Sequence, residues 1–303
     1  MLQWIAPLEK VARECHWTGQ NRFGSFAPIR LNVAAQWLVD GRNYFWNLSR
    51  AILLARECIC THDWWLSPEL HLRRLKQEKY RLDHLLERKA KEGAKIHIIL
   101  YLEVSSRTTP TDSKIYRSPS HFQTGTFYWA HAKHEKSCAV DRAIAFMGGL
   151  DHCFGRWDTP QHVLVDDPDD ASGAQIWPDM YDRTKVPRMP WHDVSMQVVG
   201  QPARDLARHF VQRWNYMLRI KNHTRTMPFL LPPPEFKRNE LADMGLTGTC
   251  ELQICRSAGL WSIGTPERIE YSIQNAYLKV IQMSEHFVYI EILKLLPSFA
   301  ART

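Results

Sequence analysis

No run of apolar residues in this chain of 303 is long enough to span a bilayer. The longest, such as Ile96 to Leu102, has the length of a strand. The first residues, MLQWIAPLEKVARE, lack the basic-then-apolar pattern of a secretory signal, so the expectation is a cytosolic chain. In that compartment the sequons at Asn47 and Asn222 carry no meaning. Zinc-type cysteine spacing is absent too. The seven cysteines, at 15, 58, 60, 138, 153, 250 and 255, are odd in number and fall mostly in apolar segments, so buried reduced thiols are expected rather than a disulfide framework or a metal centre. Charge of one sign is only mildly in excess, with 39 Lys plus Arg against 32 Asp plus Glu. That balance suits an anionic membrane surface or a phosphate-bearing substrate and by itself selects neither, since nucleic acid would satisfy it equally.

The remainder has a globular composition, 45% hydrophobic and 23% charged. Tyr44 to Glu57 reads as a helix with Leu48, Ile52 and Ala55 on one face, running into a short strand at Cys58 to Thr61. A second helix is predicted from Glu78 to Glu92, striped by Leu82, Leu85, Leu86 and Ala90 and stopped by Gly93, with a buried strand from Lys95 to Val104 after it. This β-α-β rhythm predicts an α/β architecture, a mixed sheet flanked by helices. Lys136 to Val140 and Ala143 to Met147 read as two strands about a tight turn at Asp141-Arg142. Asp166 to Asp170 forms an acidic surface loop, and Pro202 to Arg219 a long helix packing Leu206, Phe210 and Trp214 into a core.

Pro232-Pro233-Pro234 marks a linker. Beyond it Thr265-Pro266-Glu267 offers a helix start, Ile269, Ile273, Tyr277 and Val280 a helical face, and Phe287 to Glu291 a strand. This unit, IQNAYLKVIQMSEHFVYIE, echoes NLSRAILLARECICTHDWW upstream, as the opening of a duplicated module would. The expected organisation is a first half-module over 1–225, a linker over 226–248, the start of a second half-module over 249–291 and a divergent tail over 292–303.

The chemistry concentrates at His134-Glu135-Lys136, followed by Asp141 and Gly148-Gly149. On a strand, residues two apart project to the same face, so His134 and Lys136 would enter one cleft. An imidazole can attack phosphorus, and an ammonium can neutralise the non-bridging oxygens as charge develops. Asp141 falls at the turn, where a carboxylate also has structural uses. His131 and Lys133 form a competing H-x-K, but Cys138 stands where their aspartate would be.

The run HEKSCAVDRAIAFMGGLDHCFGRWD resembles the first H-x-K-x4-D motif of eukaryotic, especially fungal, phospholipases D. The likeness extends through RFGSFAPIRLN, HDWWLSPEL, SPSHFQTGTFYWAH and MPWHDVSMQVVGQPARDLARHFVQRWN, from about Asn21 to Glu291. The resemblance implies cleavage of phosphatidylcholine to phosphatidic acid and choline through a phosphohistidine, with no metal required for the chemistry. Two H-x-K-x4-D motifs would meet across a pseudo-twofold axis, one His as nucleophile and the other as general acid. It casts His134 as nucleophile, Lys136 as phosphate ligand, Asp141 as a motif member and Asp193 as the carboxylate that orients a catalytic His. The cations Arg213, Arg219, Lys221 and Arg225 resemble a region that binds phosphoinositide headgroups, a possible activator.

Only one such motif is present. Counted from Val288 with the Ile59-to-His134 spacing, a second would fall past residue 303, so the expectation is a half-site that needs a second half-module or second chain. Expected partners are a phospholipid membrane surface and phosphatidylcholine, with nucleic acid not favoured, and the expected location is cytoplasmic and peripheral to membranes. Two other functions fit the same residues: a non-catalytic phosphoinositide-binding fragment, and a single-motif phosphodiesterase completed by a symmetric dimer.

Overall fold

The computed structural model describes residues 21–73, 78–101, 127–132, 135–164, 187, 189–220, 227–237, 239–264 and 269–290. Its centre is a seven-stranded mixed sheet in the order β2-β8-β7-β6-β3-β4-β5. These strands are β2 (Ala35–Val39), β3 (Cys58–Asp63), β4 (Lys95–Tyr101), β5 (Phe127–Ala132), β6 (Ser137–Val140), β7 (Ile144–Gly148) and β8 (Val194–Val199). β3, β4 and β5 run parallel and all other neighbours antiparallel. A separate pair joins β1 (Arg30–Val33) to β9 (Cys250–Leu252), and a short one joins β10 (Ser257–Ala258) to β11 (Glu270–Tyr271).

One face of the sheet is covered by α1 (Asp40–Leu54) and α2 (Leu82–Lys91), the other by α3 (Gln201–Ile220). Alternation along β3 assigns the faces: Ile59 packs with Leu48, Ile52 and Leu85 under α1 and α2, whereas Cys58 and Cys60 pack with Phe210 and Trp214 under α3. The α/β sandwich expected from the β-α-β rhythm is therefore present, and the apolar stripes of all three helices are its core. Four cysteines, Cys58, Cys60, Cys138 and Cys153, are buried free thiols, while Cys250 on β9 is exposed.

Two expectations of order differ from the structure. The Pro-rich segment is no free tether. Arg204 and Arg208 donate to the carbonyls of Pro234 and Pro233, at 2.7 and 3.0 Å, and Trp214 Nε1 donates to Pro228 O at 3.0 Å. An extended proline run leaves its carbonyls unpaired along its length, so polar side chains of α3 hold it as a strap. Phe287–Ile290, expected as a strand, joins none of the sheets among the described residues, and its side chains are exposed. The helix before it, α4 (Ser272–Met283), is present. Its anticipated start at Thr265-Pro266-Glu267 lies outside the described residues, as does the acidic loop at 166–170.

Candidate active site

The parallel strands β3 and β4 end on one rim of the sheet, where crevices form in open α/β sheets. The chain leaves β5 at Ala132 and enters β6 at Ser137, which pairs with His62 at the end of β3. Of the residues between these strands, Glu135 and Lys136 are described and lie at this rim. His134 lies outside the described residues, as do Lys133, Lys221 and Arg225. Its neighbours Glu135 and Lys136 turn to opposite faces, as alternation requires.

Lys136 turns toward the α1 side. Its buried ammonium lies 3.3 Å from Asp151 Oδ1 and over the Trp64 ring. Asp151 is buried as well, and its other oxygen lies 3.6 Å from Arg156. Burial pushes the Asp151 carboxyl up to about 6, helped by the nearby Asp63 and opposed by Lys136. Beneath them Asp63 holds His152, its Oδ2 lying 2.5 Å from Nδ1, and His152 Nε2 meets Tyr44 OH at 3.0 Å. Burial raises the Tyr44 phenol well above its ordinary value, so that hydroxyl is a neutral hydrogen-bonding group. The layer under Lys136 is thus anionic and rigidly bonded, which fixes where the ammonium points.

Glu135 turns the other way, under α3. Its Oε2 accepts from His209 Nε2 at 2.9 Å and its Oε1 lies 3.7 Å from Arg213. Arg256 Nη1 donates to His209 Nδ1 at 3.1 Å, which places the ring proton on Nε2, and Arg256 itself grips Glu270 in a bidentate pair at 2.6 and 2.8 Å. Burial alone would raise the Glu135 carboxyl, but His209, His62 and Arg213 together hold it well below the usual carboxylate range. His62 Nε2 lies 3.6 Å from the same carboxylate. Burial lowers His62 to about 3, so at neutral pH this contact is a neutral imidazole beside a carboxylate and no salt bridge.

Gly148 and Gly149 earn their place by close approach. Gly148 pairs with Ser195 on β8, and a Cβ there would sit 2.2 Å from Ser195 Oγ. A Cβ on Gly149 would sit 2.7 Å from both carboxylate oxygens of Asp193. Asp193 accepts from Trp191 Nε1 at 3.2 Å and from Val194 N at 2.8 Å, and lies on the same rim as Lys136.

Two residues singled out in the sequence have structural partners of their own. Asp141 is at the opposite end of β6 from Lys136, about 16 Å away for a strand of that length. Its carboxylate accepts from the backbone N–H groups of Arg56, Glu57 and Cys58, at 2.8, 2.8 and 2.9 Å. It therefore caps the entry to β3, and it stands outside the rim where Lys136 points. Arg213 belongs to no exposed basic tract: it is buried, donating to Ser262 O at 2.7 Å and facing Glu135. Arg219 is exposed at the end of α3. The supporting residues that sequence reading missed are Asp151, Asp63, His152, Glu135, His209 and Arg256. Glu135 and Asp151 stood inside the motif run already quoted, but which face each would take depends on the strand pairing.

Comparison with known proteins now decides the family. A profile of phospholipase D matches residues 120–300, more than half of the chain. The chain belongs to the phospholipase D family. Among curated members it is 50% identical over 315 residues to phospholipase D1 of Schizosaccharomyces pombe and 46% identical over 330 residues to phospholipase D1 of Saccharomyces cerevisiae. Those alignments cover 91% and 95% of this chain but 23% and 19% of the two yeast proteins. Phospholipase D2 of Bos taurus is 36% identical, over 89% of this chain and 34% of that protein. The chain thus spans about a fifth of the length of these two fungal relatives. Among the described residues no helix is long and apolar enough to cross a membrane.

Proposed function

We propose that this chain supplies the nucleophile half of a phospholipase D active site, cleaving phosphatidylcholine to phosphatidic acid and choline through a phosphohistidine at His134. The observation that carries the reading is Lys136, whose ammonium lies 3.3 Å from Asp151 at the sheet rim with its side chain 7% exposed, two residues along the chain from His134. In this reading His134 attacks phosphorus while Lys136 stabilises charge on the non-bridging oxygens. Asp193, on the same rim, orients a catalytic imidazole and stabilises its protonated form. A second half-module or second chain supplies the acid that protonates the departing choline oxygen, a contribution of about 10²–10⁴-fold. The chemistry calls for no cofactor, and phosphoinositide acts as an activator through Arg219, Lys221 and Arg225. The chain works at a phospholipid surface from the cytoplasmic side.

Phosphatidyl transfer from phosphatidylcholine vesicles to a primary alcohol tests this, with the complementary half-module co-expressed. Phosphatidyl-alcohol that disappears in His134→Ala and Lys136→Met is the expected result. Product surviving both substitutions would remove these residues from the chemistry.

A further inference from the structure

We infer that Asp40, His162 and His192 form a binding site for a divalent transition-metal cation of the zinc type, apart from the Lys136 side of the rim and independent of the lipase reading. The site is built by a close backbone approach. Gly41, at the start of α1, leaves no room for a side chain: a Cβ there would sit 2.2 Å from Arg156 O. The loop after β7 therefore lies directly on the helix, and Arg42 N donates to Asp158 O at 2.9 Å. The fully buried Asp158 then organises what surrounds it, accepting from Thr159 N at 2.6 Å, Trp191 N at 2.7 Å and His162 Nδ1 at 3.0 Å.

That last bond sets the chemistry of His162. An ionised carboxylate only accepts, so the His162 Nδ1 carries the proton and Nε2 of the neutral ring presents a lone pair. This lone pair faces Asp40 Oδ2 across 4.0 Å. Asp40 is 0% exposed, and among the described residues Oδ2 has no hydrogen-bond partner, although Oδ1 accepts from His192 Nδ1 at 2.8 Å and from Asp193 N at 3.3 Å. A buried carboxylate oxygen and an imidazole lone pair turned toward one another repel unless a cation lies between them. The gap is too long for a hydrogen bond. For metal–ligand bonds of about 2.0–2.2 Å in a tetrahedron, donor separations are about 3.3–3.6 Å, so the site closes by roughly half an ångström on loading.

The donor set identifies the guest. Two imidazoles and one carboxylate, with candidate ligand atoms all within 4.8 Å of one another, suit zinc or a close neighbour better than magnesium or calcium, which prefer all-oxygen shells. His192 joins the shell when the cation displaces the proton that Nδ1 donates to Asp40 Oδ1 and the ring keeps its proton on Nε2. The carboxylate–histidine contact from Asp158 is the outer-shell arrangement that fixes a ligating tautomer. Asp40 lies in the first turn of α1. His162 and His192 are 31% and 48% exposed, giving the cation an entry path and positions for water. The other His–carboxylate cluster, His62, Glu135 and His209, is a poorer host. Arg213 and Arg256 reach into it, and Arg256 already donates to the His209 nitrogen that would have to carry a proton if Nε2 bound metal.

Titration calorimetry of the full chain with Zn²⁺ tests the site without reference to lipid turnover. The expected result is one tight equivalent, lost in Asp40→Asn and His162→Ala and weakened in His192→Ala. Asp158→Asn, which touches no metal, should weaken binding roughly 10–100-fold. Glu135→Gln should bind as the parent does. Each variant is first shown to melt cooperatively. If a variant fails that check, cobalt substitution of the parent replaces it, with visible bands of a tetrahedral nitrogen–oxygen site expected. Failure of the folded parent to bind, binding unchanged in both Asp40→Asn and His162→Ala, or loss in Glu135→Gln instead would each overturn the assignment.

Discussion

Asp141 and Lys136 sit at opposite ends of one four-residue strand and do opposite work. Asp141→Ala removes an acceptor from three backbone N–H groups at the entry to β3. Some of these regain water, so the expected loss is roughly 2–4 kcal/mol of unfolding free energy in urea, below the simple sum for three hydrogen bonds to a charged group. Lys136→Met instead should abolish turnover while leaving the urea midpoint within a narrow range, because a neutralised Asp151 tolerates its burial. His62 supplies a pH signature. Its imidazole is held at about 3 by burial, against an ordinary 6.5, so the unfolded chain binds more protons throughout that interval. Stability is therefore fully present above 6.5 and is lost as pH falls toward 3, at up to ~1.4 kcal/mol per pH unit for this one proton. His97, lowered to about 4 by burial and by Lys95 and Arg142, acts in the same direction. Asp151 acts oppositely, losing stability as pH rises through about 6. Denaturant titrations across pH should show His62→Gln flattening the acid limb by about one proton, and an unchanged slope would mean the ring is not neutral in the fold.

Among the elements, β7 and β8 approach closely where Gly148 meets Ser195. Gly148→Ala places a methyl on Ser195 Oγ, Cβ and Cα, so relief requires moving the strand itself. Overpacking of this kind costs roughly 1–3 kcal/mol, and thermal melts should show a drop of that order. Gly149→Ala meets the Asp193 carboxylate instead and should displace it, lowering turnover more than stability. The helices and the β6–β7 hairpin were legible in the sequence because each depends on local periodicity: Leu48 and Ile52 on α1, Leu206, Phe210 and Trp214 on α3. What was not legible is set by partners distant in the chain. Asp141 reads as a turn carboxylate of the motif, and its three backbone partners at the entry to β3, 83 to 85 residues upstream, emerge only from the pairing of β6 with β3. Arg213 reads as a surface cation until Ser262, 49 residues on, is found bonded to it. Phe287–Ile290 has strand composition, but strand formation is decided by pairing with distant residues, and these four are not in a strand.

At the scale of the whole molecule, apolar surface collects on one part of the fold. α4 and the residues after it expose Tyr277, Val280, Met283, Phe287 and Tyr289, the last two by 83% and 77%. Contiguous apolar exposure of this sort marks a surface that associates with something. In the proposed function its occupant is the complementary half-module. Without it, sedimentation should show concentration-dependent self-association, suppressed by Tyr277→Lys with Phe287→Asp, and a monomer at all concentrations would contradict this.

The central claim is that His134 is a nucleophile at phosphorus, and it can be separated from the need for a general acid. A p-nitrophenyl phosphodiester expels a leaving group that departs as an anion without a proton, so the nucleophile half alone can complete the first step. The measurement is a rapid-mixing burst of nitrophenolate, followed by mass spectrometry of the peptide containing His134. The account predicts a burst approaching one equivalent of protein, an alkali-stable phosphoryl adduct on His134, and loss of both in His134→Ala. A folded protein that gives no adduct, or a burst that survives His134→Ala, would contradict it.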